Sequence, residues 1–358
     1  LKFFYAGLAI AIYSVITFYI GWNVKALLQS FHLYRWPIVF WLILYLVAFG
    51  FIIGRFHEIL SPFSIIGSYW MFILQYGLVL CILANVLVKW TPLSTKIVGM
   101  GAVVTLLVLF IIGTYNAYSP VVRYLTIEVD KPGEDMRVVM ASDFHLGALS
   151  HKGHLQKFVD LSNAQMPDVV LLAGDIVDDS PRRFLKNGMG DVMKQLESTY
   201  GVYGILGNHE YYGKEIPEFK KAMKDAHVQI LMDETILINN RFYLTGREDI
   251  THKKRLSLET LKPENEQLPW FVMNHTPNDL DEPAVLGVDF HVSGHTHKGQ
   301  MWPNHLITQR IFELDYGHLA KEKMHALVSS GYGFWGPPTR IGSRSELWVV
   351  DVKFKEIK

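Results

Sequence analysis

The sequence predicts an α/β fold, a four-layer αββα sandwich with two packed sheets and helices outside them, preceded by an all-α bundle of four transmembrane helices. Three observations lead there. Four uncharged apolar runs fill most of the first 119 of 358 residues. Beyond them, short apolar strand segments are interleaved with helical patterns. Five of those strand segments end in Asp, Asn or His.

The apolar runs are Phe3–Trp22, Pro37–Gly54, Phe63–Val88 and Ile97–Tyr118. A bilayer core of ~30 Å needs ~20 apolar residues in helical form. Lys25, Arg35, Arg55, Glu58, Lys89 and Lys96 fall between the runs. Trp22, Tyr34, Trp36, Trp90, Tyr115 and Tyr118 lie near their ends, where interfacial aromatics collect. Pro37, Pro62 and Pro92 stand at or just before run starts, where a missing amide proton costs little. A cleaved signal peptide would account for the first run but not for the other three. Four spans place both termini on one side of the membrane. Flanking cations do not choose that side: Lys25, Arg35, Lys89 and Lys96 stand against Lys2, Arg55, Arg123 and Lys131. No run carries a charge, so no transport pathway is indicated. The runs read as an anchor, with binding of a lipid tail as the sharper alternative. Residues 1–119 form one domain on this reading and 120–358 the other.

Composition narrows the function classes. The first 119 residues hold six Lys or Arg and one acid, and the remainder holds 28 basic against 33 acidic residues, a net of −5. A mildly acidic second half without a basic cluster argues against nucleic acid. The single Cys81 permits no intrachain disulfide.

In the second half Pro120 closes the last apolar run, Val121–Val129 reads as a strand, and Lys131-Pro132-Gly133 as a turn. Further strand segments follow at Arg137–Ser142, Asp168–Ala173, Val202–Leu206, Thr235–Ile238, Phe242–Thr245, Trp270–Asn274, Val288–Ser293, Met324–Ser329 and Leu347–Val352. Helical patterns cover His154–Ala164, Phe184–Leu196 and Ile216–Ala226. Five strand ends deliver polar residues: Asp143-Phe-His145, Gly174-Asp175, Gly207-Asn208-His209-Glu210, Asn274-His275 and Gly294-His295-Thr-His297. In open α/β sheets the ligand crevice lies at the carboxyl ends of strands. One such end is usually a cap or a turn. Five together point to a metal site.

The ordered set Asp143-x-His145, Gly174-Asp175-x-x-Asp178, Gly207-Asn208-His209-Glu210, His275 and Gly294-His295-x-His297 resembles the five motif blocks of the calcineurin-like metallophosphoesterases. The likeness covers about residues 121–358. The stretches Gly294–Gln300 and Ser330–Arg344 resemble a bacterial, membrane-associated subgroup that includes lipid-headgroup phosphodiesterases and diacylglucosamine pyrophosphatases. The resemblance implies a metallophosphoesterase-like sandwich and a two-metal site. Seven side chains cannot all bind one divalent ion and leave room for substrate, whereas two ions ~3.5–4 Å apart can share a carboxylate. By resemblance, Asp143, His145 and His297 hold the first ion, Asn208, His275 and His295 the second, and Asp175 bridges them. Mixed nitrogen and oxygen ligands suit Mn, Fe or Zn. The resemblance further implies hydrolysis by a metal-bound hydroxide, with His209 as general acid oriented by Asp178. Two positions depart from the family pattern: Asp179 stands where phosphoprotein phosphatases carry Arg, and Lys298 where the bacterial subgroup carries Gly. Lys298 and Arg340 are candidate substrate contacts. Phe334, Trp335, Trp302 and Tyr332 are candidates for an apolar rim or for core.

The expected protein is thus a membrane-anchored dinuclear phosphoesterase cleaving a phosphodiester or pyrophosphate, with a membrane lipid as its substrate. Asp143 follows the last apolar run by only ~25 residues, which at ~3.3 Å each bounds its distance from the bilayer. A tethered phosphodiesterase for soluble substrates is the competing enzyme reading, and a metal-dependent scaffold or transporter accessory the competing non-enzyme reading. The subgroup resemblance places the protein in a bacterial plasma membrane with its catalytic domain outside the cytoplasm. Oligomeric state is not read from the sequence.

Overall fold

The computed structural model describes residues 2–54 and 60–355. Arg55 and Glu58, expected in a connection, lie outside the described residues. The chain divides into two compact units, Leu1–Thr114 with Gly336–Thr339, and Tyr115–Trp335 with Arg340–Lys358. The division falls about one turn before the 119/120 boundary that composition gives.

The first unit is helical: Lys2–Ser30, Pro37–Ile53, Ser61–Phe72 continuing through a π-turn at Ile73–Gly77 into Leu78–Trp90, and Thr95 onward to Tyr118. Among the described residues three helices are long and apolar enough to cross a membrane, Phe4–Ser30, Pro62–Trp90 and Thr95–Tyr118. The expected fourth span is shorter. Pro37–Ile53 has 17 residues, which at 1.5 Å per residue reaches about 25 Å, less than the ~30 Å hydrocarbon thickness. The buried core of this unit centres on Ile20, Ala48 and Trp70, while Phe4, Leu42, Val104 and Ile111 are exposed. Exposed aliphatic faces are costly in water at about 25 cal/mol per Å²; lipid tails remove that cost.

Among the described residues the second unit contains twelve strands. They are β1 (Val121–Pro132), β2 (Met136–Ala141), β3 (Val169–Leu172), β4 (Val202–Gly204), β5 (Val228–Ile230), β6 (Glu234–Ile238), β7 (Phe242–Gly246), β8 (Trp270–Met273), β9 (Phe290–Ser293), β10 (Gly317–Lys321), β11 (Met324–Val328) and β12 (Glu346–Lys355). They form two six-stranded sheets, in the orders β1-β12-β2-β3-β4-β5 and β10-β11-β9-β8-β7-β6. β2 to β5 run parallel, as do β7, β8, β9 and β11.

Side-chain alternation at period two builds the four layers. Along β2, Val139 and Ala141 join the core under the helices Lys152–Asn163 and Ile216–Asp225, whereas Val138 and Met140 join the core between the sheets. Along β8, Phe271 and Met273 face that same middle core, and Trp270 and Val272 face a third core with Leu258 and Val288. Two sheets with apolar layers on both faces form the expected sandwich.

Some boundaries differ from the sequence reading. Phe184–Leu196 is two short helices, Arg182–Lys186 and Met189–Met193, interrupted at Gly188, whose φ of 60° ends the first turn run. β5 and β10 were not expected. β5 has three residues, and β10 alternates polar and apolar side chains too weakly to register as a strand.

Candidate metal centre

Parallel register brings the polar strand ends together. β2, β3 and β4 are neighbours in one sheet, and β8 and β9 in the other. Their carboxyl ends lead into Asp143, Asp175, Asn208, His275 and His295. Asp143, His145, Asp175, His295 and His297 all take left-handed backbone conformations, with φ between 45° and 70°. Such conformations cost about 1–3 kcal/mol each in residues with a Cβ, and interlocking backbone bonds hold them. The amide of Asp143 donates to Gly174 O at 3.0 Å and that of His145 to Asp175 O at 3.0 Å. Gly207 permits a further close approach: a Cβ there would lie 2.1 Å from Asp175 Oδ1.

The ligand-capable atoms converge. His145 Nε2 is 3.1 Å from His297 Nε2, and His297 Nε2 is 3.4 Å from Asp143 Oδ1. His275 Nε2 lies 3.2 Å from Asp175 Oδ2 and 4.0 Å from Asp143 Oδ1. Asp143-His145-His297 and Asp143-Asp175-His275 each gather ligand atoms within 4.8 Å of one another. Asn208 Oδ1 and His295 Nδ1 face each other at 2.8 Å. Asp143, His275 and Asp175 are essentially inaccessible to solvent.

These residues fit divalent ions. His275 Nδ1 donates to Ala173 O at 2.8 Å, so in the neutral ring its Nε2 carries the lone pair that a metal ion needs. That buried Nε2 has no hydrogen-bond partner and faces a carboxylate oxygen, an arrangement that asks for a cation between them. Metal–ligand bonds of about 2.1 Å at tetrahedral angles separate donor atoms by about 3.4 Å, close to the spacings found. Divalent ions held here supply a water of lowered pKa and charge to polarise phosphate oxygens.

Burial and charge set the protonation of the ion-free centre. Burial pushes the His145 and His297 imidazoles well below their usual range, helped by His209 for the first and by Arg340 for the second. Burial likewise opposes the His275 imidazolium, but Asp175 and Asp143 outweigh it and hold its pKa well above the usual value. Asp175 in turn stays ionised beside His275, although burial opposes this.

His209 sits at the edge of the centre. Its backbone amide donates to Asp175 Oδ1 at 2.9 Å. Its Nδ1 is 2.7 Å from Asp179 Oδ1 and 3.9 Å from Asp178 Oδ1. The carboxylate that engages this imidazole is therefore Asp179, not Asp178 as expected. The reason is local: Asp179 has φ 62°, which turns its carboxylate onto the ring, while Asp178 stays exposed. Burial lowers the His209 pKa, yet Asp179 and Asp175 dominate and raise it to about 9.

Glu210, quoted in the motif without a role, joins two ligand loops. Its carboxylate accepts from Gly207 N at 2.7 Å, Val177 N at 3.0 Å and Asp175 N at 3.2 Å. Burial and the Asp175 charge push its pKa up to about 8, and the amides pull it back. Glu210→Ala leaves three buried amides without that acceptor. At about 1–3 kcal/mol per unsatisfied group, stability is expected to fall by on the order of 3 kcal/mol or more, measurable by chemical denaturation. Asp249 acts similarly behind His275: its Oδ2 accepts from Thr276 Oγ1 at 2.8 Å, and no strand-end pattern marks it.

Of the two expected substrate contacts, Arg340 is placed otherwise. Arg340 is fully buried. Its Nη2 donates to Ser330 O at 2.7 Å and Gly333 O at 2.6 Å, and lies 3.4 Å from His297 Nδ1. A guanidinium enclosed by carbonyls cannot reach substrate, so Arg340 orders the Ser330–Gly333 loop behind His297. Arg340→Lys keeps the charge but loses the planar fork, and a stability loss of about 2–3 kcal/mol is expected in a denaturant titration. Lys298 Nζ lies 4.2 Å above the Tyr316 ring. Of the four candidate rim aromatics, Tyr332 and Phe334 are core, and Trp302 and Trp335 are half exposed. The Trp335 ring is 6.5 Å from His209, and the exposed Tyr212 ring 5.5 Å from it.

Buried carboxylates and imidazoles at the strand ends of an αββα sandwich define a candidate divalent-metal centre. Residues 136–299 match the family model for calcineurin-like phosphoesterases. An uncharacterized metallophosphoesterase of Aquifex aeolicus is 30% identical over 265 residues, covering 69% of this chain and 99% of its own length. One from Campylobacter jejuni is 30% identical over 66% of this chain and 64% of its own length. A Bos taurus transmembrane protein with a metallophosphoesterase domain is 28% identical over 69% of this chain and 60% of its own length. The chain belongs to the calcineurin-like phosphoesterase family. It spans a little under two thirds of the length of the Campylobacter relative.

Proposed function

We propose that the protein is a membrane-anchored, dinuclear metal phosphoesterase that hydrolyses a phosphodiester or pyrophosphate bond of a lipid headgroup. The observation that carries this reading is a buried centre whose general-acid candidate, His209, is flanked by the exposed aromatics Tyr212 and Trp335, in a chain whose described residues include three apolar helices of membrane-spanning length. Aromatic surface beside a polar centre suits a substrate with an apolar portion.

In this reading Asp143, His145 and His297 hold one ion, Asn208, His275 and His295 the other, and Asp175 lies between. The ions are Mn, Fe or Zn, in keeping with the mixed donor set. His209, held through Nδ1 by Asp179, presents Nε2 to the leaving oxygen and protonates it. The membrane is a bacterial plasma membrane, with the catalytic domain on its outer side; protection of that domain from added protease in intact cells would contradict this placement.

The test compares full-length protein, loaded with Mn²⁺, on short-chain phospholipids in mixed micelles and on a water-soluble chromogenic diester. A higher kcat/KM on the lipid supports the proposal. Turnover of the soluble diester with no phosphorus released from any lipid overturns it in favour of a tethered enzyme for soluble substrates.

A further inference from the structure

A second polar cavity lies in the catalytic unit, apart from the metal-centre residues. Its volume is about 270 Å³, and its walls include Asn116, Arg123, Lys298, Tyr316, Arg344 and Glu346.

The charges in this cavity do not balance. Three cations meet one acid, and the acid is fully engaged. Glu346 is 1% exposed. Its Oε1 accepts from Ser330 N and Trp348 Nε1, both at 2.9 Å, and its Oε2 from Arg123 Nε and Tyr316 OH, both at 3.1 Å. Arg123 uses only Nε in this contact, and its two terminal nitrogens have no partner among the described residues. Arg344 uses Nε on Ser119 O at 3.0 Å and stacks its cation 5.3 Å from the Tyr115 ring. Lys298 has its ring contact with Tyr316 and no ion pair among the described residues. Planar guanidinium forks with idle donors match a tetrahedral oxyanion.

The cavity's position adds to this. Asn116 belongs to the last turn of Thr95–Tyr118, a helix of membrane-spanning length, and Ser345 N donates to Asn116 O at 3.0 Å. The end of such a helix is where headgroup phosphates lie. Lys298 also directly follows His297, whose Nε2 belongs to the metal centre.

We propose that this cavity is a phosphate-binding site, separate from the metal centre, in which Arg123, Lys298 and Arg344 hold a phosphate group at the membrane interface. The site does not depend on which bond the metal centre cleaves.

The test is calorimetric titration of the full-length, Mn²⁺-loaded protein in neutral detergent with three probes: inorganic phosphate, dihexanoyl phosphatidylglycerol and dihexanoyl phosphatidylcholine. Titrations are repeated on Arg123→Gln/Arg344→Gln and on Lys298→Gln. Phosphate held by the metals forms a binding class that these variants leave in place, so failure of the catalytic reading is seen separately, as absence of that residual class. The expected result is a second class in the wild type that weakens by roughly tenfold or more in both variants. Loss confined to phosphatidylglycerol identifies a lipid headgroup as the source, and loss confined to inorganic phosphate identifies free phosphate. Equal affinities in wild type and variants for every probe overturn the proposal. If the double variant does not fold, Lys298→Gln, whose side chain makes no ion pair, carries the test alone.

Discussion

His209→Asn is expected to lower kcat by about 10²- to 10⁴-fold, the usual contribution of a positioned general acid, while bound metal is unchanged. Asn can keep a side-chain contact to Asp179 but has no proton to give. The retained metal follows from geometry: His209 reaches Asp175 through its backbone amide, which Asn also has. Steady-state kinetics with metal analysis on the same sample checks both halves. The pH profile gives a second handle. A general acid works in its protonated form, so activity falls as pH rises through the pKa of His209. That pKa is raised to about 9 in the ion-free chain, chiefly by Asp179 and Asp175 working against burial. Asp179→Asn removes the carboxylate that hydrogen-bonds the imidazole, the largest of the contributions that raise its pKa, so the alkaline limb is expected to move to lower pH. An unmoved limb would assign the imidazole's partner elsewhere.

Asp175→Asn is expected to have the larger effect on metal content. Asp175 Oδ2 is 3.2 Å from His275 Nε2 and 3.7 Å from His145 Nε2, so one carboxylate serves both halves of the centre. Replacing it halves the buried negative charge that Asp143 and Asp175 supply together. Loss of one ion and a fall in kcat/KM of more than about 10³-fold are expected, on the scale by which a preorganised charge stabilises a transition state. Elemental analysis of the purified variant reads the first, and kinetics at saturating Mn²⁺ the second. Full metal content in Asp175→Asn would remove this residue from the bridging position.

How much of this was legible in the sequence depended on periodicity and on strand ends. The buried strands β2, β3, β8 and β9 are runs of Val, Leu, Phe and Met that stop at Asp, Gly or His, so both the strands and their polar ends could be read. What a single sequence does not carry is which neighbouring residue reaches a given atom. Asp178 and Asp179 are adjacent carboxylates of equal reach, and only the left-handed backbone at Asp179 sets which one meets His209. Arg340 looked like a phosphate contact because a lone Arg near a Gly-rich stretch gives no sign of burial; its carbonyl partners come from the fold of Ser330–Gly333. Glu210 lay in plain view, but its three amides belong to turns 3 to 35 residues away. Pro37–Ile53 shows the limit for helices: its described length is 17 residues, and hydropathy alone does not register where a helix stops.

The most direct test of the account is a titration of chelator-treated full-length protein with Mn²⁺, following hydrolysis of a chromogenic phosphodiester. The account requires activity that is absent without metal and reaches its maximum only as a second equivalent per chain binds. Full activity in the metal-free protein, or saturation at one equivalent, would contradict it.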